Sequence, residues 1–195
     1  MKTVVIATNN KGKLQEFKSL FPNVNIKGLA DLGFTGTIIE DGQTFKENAL
    51  IKARKIAKAY NTIVIADDSG LEVKALNGEP GIKSARYASE HNDVLNNELL
   101  IKNLHGIGDR SARFVCALCI YFPNDEYRLV EEYCYGLIVD EAKGSNGFGY
   151  DPHFYSLELH KTLAEASMEE KNEISHRAKA LGKLKELLNE DFSLK

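Results

Sequence analysis

The 195-residue chain sets 25 Lys and Arg against 28 Asp and Glu, a formal net charge of -3, with 43% hydrophobic and 27% charged residues. That balance excludes a disordered chain and gives no global attraction to nucleic acid or an anionic membrane surface. The length favours one domain spanning 1–195, large enough to fold around its own core without a disulfide or metal staple.

The stretch MKTVVIATNNKGK holds an apolar run too short for a signal sequence or a membrane span, so a cytoplasmic protein is expected. Within it, TVVIA (3–7) is a continuous β-rich run, as in a strand covered on both faces. NKGKLQEFKSLF places Leu14, Phe17, Leu20 and Phe21 at helical spacing and is closed by Pro22. NVNIKGL predicts a second strand. A loop through DLGFTGTIIEDGQ then leads to the clearest helix start. There Thr44 and Glu47 form a T-x-x-E capping box, and Phe45, Ala49, Ala53, Ile56, Ala57 and Tyr60 make one apolar stripe. TIVIA (62–66) predicts a buried strand and GLEVKAL a further one, with Asp67, Asp68 and Ser69 between them. A helix is predicted over 93–104, ended by Gly106. ARFVCALCIYF and YRLVEEYCYGLIVD read as long antiparallel strands joined around PNDE. Ser167 and Glu170 make a second capping box, and a last helix is predicted from Ser175 to Asn189.

The cysteines are Cys116, Cys119 and Cys134, an odd count that suits a reducing cytosol. CALC matches C-x-x-C, but strand alternation points Cys116 and Cys119 to opposite faces, so core packing is expected over redox or zinc chemistry. Strands alternating with helices early, followed by a long hairpin, predict an α/β fold with a mixed sheet and flanking helices. Ligands of open α/β sheets sit beyond the carboxyl ends of strands. TNNKGK and DDSG are the two loops that leave such ends.

TNNKGK meets a helix N-terminus, where free N–H groups and a partial positive charge suit an anion. Thr8 and Asn10 add neutral donors, and Lys11 and Lys13 add cations. The loop is either a phosphate cradle without a Walker pattern or an N-capped helix with solvated lysines. Asn48, Lys52 and Lys55 flank the apolar stripe of the second helix, either facing a cleft or forming a solvated edge. Asp67 and Asp68 are adjacent like charges near a buried strand end, where both repulsion and desolvation cost energy. A divalent cation removes both costs, and Mg²⁺ prefers hard carboxylates together with phosphate oxygens. The alternative is an Asx-type turn in which DSG caps the strand. GSNGFGYDPHF (144–154) permits close backbone approach to a ligand, with Phe148 or Tyr150 to stack on a base, or forms a plain hairpin corner. His176 and Arg177 place positive charge in the first turn of the last helix, where the dipole disfavours it. A purine with a carbonyl at position 6 accepts hydrogen bonds from such donors; the amino group of adenine leaves them unpaired.

Taken together, TNNKGK, EDGQTFKENALIKA, ADDSGLEV, GEPGIKSARYA, GFGYDPHF and EKNEISHRAKAL span Thr8 to Leu181. In that order they closely resemble the inosine/xanthosine triphosphate pyrophosphatase family, which removes non-standard purine nucleotides from the cell's pool. The resemblance implies a homodimer of elongated, two-lobed α/β subunits, each with its active site in a central cleft. It implies Mg²⁺-dependent hydrolysis of ITP, dITP and XTP between the α- and β-phosphates, giving a monophosphate and pyrophosphate. Carried residue by residue, it implies triphosphate binding by Thr8, Asn9, Asn10, Lys11, Gly12 and Lys13, with Lys52 nearby. Glu40 and Asp68 would hold the metal, Asp68 would also accept the proton, and Ser69 would contact substrate. Phe148, Gly149, Tyr150 and Asp151 would hold base and sugar, and Lys171, His176 and Arg177 would read the purine. Asn9 and Asn146 stand where many relatives have glycine, which leaves the charged groups intact. Two other classes compete: a nucleotide-binding regulator without turnover, opposed by the intact Glu40, Asp68 and Lys13, and an RNA-binding module, opposed by the net charge.

Overall fold

Parallel strands need a crossover connection, and the first part of the chain supplies two. The computed structural model describes residues 3–191. Strand β1 (Thr3–Ile6) is followed by helix α1 (Lys11–Leu20) and β2 (Asn25–Gly28), then by α2 (Phe45–Tyr60) and β3 (Ile63–Val73). β1 pairs in parallel with β2, Thr3 opposite Asn25, and in parallel with β3, Val4 opposite Ile63. After α3 (Asp93–Asn103) come β4 (Ser111–Tyr121), β5 (Tyr127–Ile138), β6 (Phe154–Ser156) and β7 (Lys161–Thr162), then α4 (Met168–Ile174) and α5 (His176–Asp191). β6 runs antiparallel to both β5 and β7. The sheet order is β2-β1-β3-β4-β5-β6-β7, a mixed sheet as the sequence predicts.

The chain divides into two units. The first holds the residues up to Asp68, Ala117–Glu131 and the chain from Ala180 on; the second holds Ser69–Cys116 and Glu132–Lys179. In the first unit Val4, Val5 and Ile6 of β1 and Val64, Ile65 and Ala66 of β3 are all buried. Burial of every residue in a run, without alternation, explains why these strands read as continuous apolar segments. Phe17 of α1 is buried with them, while the side chain of Leu20 lies outside the described residues. The α2 stripe buries Phe45, Ala49, Ala53, Ile56 and Ala57. Its last predicted member, Tyr60, is 37% exposed and sits edge-on to Phe34 instead. In the second unit the core gathers Leu71, Leu100, Leu104, Phe114, Cys134, Phe154 and Leu163.

Helix starts follow their caps. Thr44 Oγ1 accepts from Glu47 N at 3.2 Å, but the Glu47 carboxylate turns to Gln43 N at 2.6 Å, so this capping box is only half formed. The Ser167 box is complete, with Glu170 N on Ser167 Oγ and Ser167 N on Glu170 Oε2. All three cysteines are free and buried. Burial pushes the Cys119 thiol up to about 12 and that of Cys134 up to about 11, which keeps them as inert core residues. No described helix is long and apolar enough to cross a membrane.

The sequence reading fails at DDSG. Residues 63–73 form one strand of 11 residues, not two strands separated by a turn, and a 3₁₀ turn over Lys74–Leu76 replaces the end of the second. Asp67 and Asp68 therefore lie inside β3. Strand alternation turns Asp67 toward Lys13 and Asp68 toward Lys52, while the two carboxylates still repel each other.

Candidate active site

The loop after β1 is built by its own side chains. Thr8 Oγ1 accepts from Asn10 N at 3.1 Å, and Asn10 caps α1 by accepting Lys13 N at 3.1 Å. The capped helix is present, but its lysines are not all solvated: Lys13 Nζ is paired with Asp67 Oδ1, whose side chain is wholly buried. Asn9, Lys11 and Gly12 are exposed. The first turn of α1 holds no acidic residue, so nothing there neutralises the positive end of the helix. A helix terminus with no acidic residue and a cation anchored to β3 thus lie within one turn of α1.

Beside it, α2 delivers two side chains one helical turn apart, Asn48 and Lys52. Both are buried. Lys52 Nζ contacts Glu40 Oε2 at 3.0 Å and Asp68 Oδ1 at 3.2 Å, and Asn48 Nδ2 donates to Asp68 Oδ2 at 3.1 Å. Lys55 does not join them; its Nζ donates to Thr37 O at 2.7 Å. Three carboxylates, Glu40, Asp67 and Asp68, thus share two ammoniums, Lys13 and Lys52. The excess of negative charge acts on both partners. Burial raises Asp68 above the ordinary carboxylate range, against the pull of Lys52 and Lys13. Burial alone would lower Lys52, but Asp68, Glu40 and Asp67 together raise it. Each group holds its proton more tightly than in water, and an added cation would relieve the excess. Among the described residues no group of three or more His, Cys, Asp or Glu forms a metal cage. Two carboxylates bridged by a displaceable ammonium instead suit Mg²⁺, which completes its shell with waters and phosphate oxygens.

The second unit holds the remaining predicted residues, around a different carboxylate. Asp151 Oδ2 accepts from Phe148 N at 3.0 Å and from Lys171 Nζ at 2.8 Å. The Lys171 ammonium also lies 5.5 Å above the Phe148 ring. Gly147, at φ +80°, makes this possible: a Cβ there would sit 2.1 Å from Asp151 Oδ2. The loop is clamped from α3, because Gly149 N donates to Asp93 Oδ2 at 2.8 Å and Gly149 O accepts from Asn97 Nδ2 at 2.9 Å. Phe148 is 41% exposed and free to meet a ring. Tyr150 is not: its ring is core, and its hydroxyl donates to Ser84 O at 2.8 Å, which leaves Phe148 as the exposed ring of the two. His176 is buried and stacks on Phe114, with centroids 5.0 Å apart and planes 13° apart. Arg177, also buried, donates from Nη2 to Ser69 Oγ at 3.2 Å.

Thr8, Asn10, Lys13, Glu40, Lys52 and Asp68 therefore belong to the first unit, and Ser69, Phe148–Asp151, Lys171, His176 and Arg177 to the second. The peptide bond from Asp68 to Ser69 joins them. Asp93 and Asn97 were missed as supports. Their signal was a polar helix start, HNDVLNN, like any solvated one. Asn48 was visible as a flank residue without a role.

The Ham1 family model matches residues 4–187. A dITP/XTP pyrophosphatase from Bacillus licheniformis is 52% identical, the match covering 97% of this chain and 100% of that protein. One from Bacillus subtilis is 49% identical, with coverage of 96% and 98%. The solved structure of the Staphylococcus aureus Ham1 protein superposes with a TM-score of 0.90 at 47% identity, covering 97% of this chain and all of that one. A HAM1 protein from Coxiella burnetii gives a TM-score of 0.89 at 39% identity, covering 97% and 100%.

Proposed function

The chain belongs to the Ham1 family, and we propose that it hydrolyses non-standard purine nucleoside triphosphates such as dITP, ITP and XTP to monophosphate and pyrophosphate. The observation that carries this reading is the charged cluster beside the capped N-terminus of α1, in which buried Asp67, Asp68 and Lys52 meet the half-buried Lys13 and Glu40. Two relatives named dITP/XTP pyrophosphatase match it over almost their whole length.

Glu40 and Asp68 are the residues that would hold Mg²⁺, which when bound screens the triphosphate and the charge developing on the pyrophosphate leaving group. The α1 terminus, Lys11 and Lys13 take the phosphates. Asp68 orients the attacking water and accepts its proton, a role that a carboxylate raised by burial performs better than an ordinary one. Lys52, which bridges Glu40 and Asp68 here, would yield that place to the metal and turn its cation to the negative charge of the transition state.

In the second unit, Lys171, His176 and Arg177 are donors for the carbonyl at position 6 of the purine, and Phe148 is the stacking ring. Adenine presents an amino group at that position and leaves the donors unpaired, which supports discrimination against ATP. The reading includes a cytoplasmic homodimer, supported by the family resemblance and the three free thiols. Initial rates with ITP, XTP, dITP, GTP and ATP test it. The first three should lead in kcat/KM, and equal turnover of ATP would contradict it. His176→Ala should cut the ITP-over-ATP ratio about tenfold or more, since a donor to the substrate is lost; an unchanged ratio would remove His176 from base reading.

A further inference from the structure

We infer that Asn48 is a positioning residue that fixes the Asp68 carboxylate and ties it to the loop bearing Glu40. The inference rests on the function proposed above. Asn48 is 1% exposed, on the face of α2 that also carries Lys52. Its Oδ1 accepts from Gly42 N at 2.9 Å, and its Nδ2 donates to Asp68 Oδ2 at 3.1 Å. The amide has one usable orientation: a backbone N–H only donates, so it must meet the oxygen, and an ionised carboxylate only accepts, so it must meet the nitrogen.

The two oxygens of Asp68 therefore have unlike partners. Oδ1 faces Lys52, a cation on a long flexible stem that can turn to another anion. Oδ2 faces a neutral amide that is itself held by the main chain. When Lys52 yields its place, Asn48 keeps the carboxylate in its rotamer. Gly42 lies two residues beyond Glu40, so the same amide sets where that carboxylate enters the cluster. Glycine is required for the approach. A Cβ on residue 42 would lie 2.7 Å from Asn48 Oδ1, 2.7 Å from Glu47 Cβ and 3.0 Å from Asn48 N, two of them parts of the helix start that cannot give way.

The test uses Asn48→Ala, Asn48→Asp and Gly42→Ala in the full chain. Steady-state kcat and KM for ITP at saturating Mg²⁺, thermal midpoints, and hydrogen exchange at the Gly42 amide of the metal-free protein are measured. Asn48→Ala should lower kcat about 10–100-fold, the cost typical of losing a residue that orients a metal ligand, with KM changed less than about threefold. Its Gly42 amide should exchange faster. Asn48→Asp keeps the shape and the bond to Gly42 but sets an acceptor against Asp68; kcat should fall at least as far while the Gly42 amide stays protected. Gly42→Ala should match Asn48→Ala, and the double variant should be no worse than either, because both cut one linkage. Native kcat in Asn48→Asp, or losses that multiply in the double variant, would overturn the inference. Should Asn48→Ala fail to fold, Asn48→Asp still decides. A native chain inert toward ITP would refute the functional reading instead, and the Gly42 exchange of the variants would still decide whether Asn48 anchors the loop.

Discussion

Asp68→Asn should abolish turnover of ITP and leave the chain folded, with a thermal midpoint at neutral pH close to that of the native chain. On the proposed mechanism the substitution removes both an oxygen that would hold the metal and the proton acceptor, together about a thousandfold or more. The folded-state pKa of Asp68 is raised above 3.8, mainly by burial and against the attraction of Lys52 and Lys13. A raised carboxylate contributes stability that is fully present below its unfolded pKa and is lost as pH rises through the folded value. Above that value the ionised Asp68 is a net cost to folding. The amide removes that cost and offers its oxygen to Lys52, while its nitrogen meets Asn48 Nδ2 donor to donor, which offsets part of the gain. Melting of both proteins from pH 4 to 8 should show the native chain losing ground to the variant as pH rises through the folded Asp68 value. A variant with near-native turnover would take Asp68 out of the mechanism. A midpoint many degrees lower would make the carboxylate structural.

Lys13→Met should be the most destabilising change in the segment that follows β1. Asp67 is fully buried, and Lys13 is its cation. Breaking a buried pair by removing one partner costs about 3–5 kcal/mol. The second substitution should reverse most of this: Lys13→Met with Asp67→Asn removes both charges of that pair. Urea denaturation reads the effect as a lowered midpoint for the single variant and a restored one for the double. Both should raise the KM for ITP, because the loop loses its cation and its anchor to β3 together. An unchanged midpoint in Lys13→Met would mean that the ion pair does not hold the loop.

What could be read from the residues was local or periodic. The buried strands TVVIA and TIVIA, the hairpin around PNDE and the Ser167 cap each announce themselves within a few positions, and each is present. The charged residues of the site were also legible through their resemblance to a family. What failed was decided at long range. DDSG carries a turn signal, yet the chain stays extended because Asp67 meets Lys13 from 54 residues away and Asp68 meets Lys52 from 16. Tyr150 looked like a stacking ring, and only the Ser84 carbonyl 66 residues earlier claims it for the core. Asp93 and Asn97 gave no signal, since the partner that matters, Gly149, is 56 and 52 residues distant. Sequence shows which groups carry charge; packing decides which of them face one another.

The central claim is cleavage between the α- and β-phosphates, and phosphorus NMR of ITP turning over with Mg²⁺ reads it directly. The account predicts IMP and pyrophosphate growing in together, with no orthophosphate at early times. IDP with orthophosphate as the first products would contradict it.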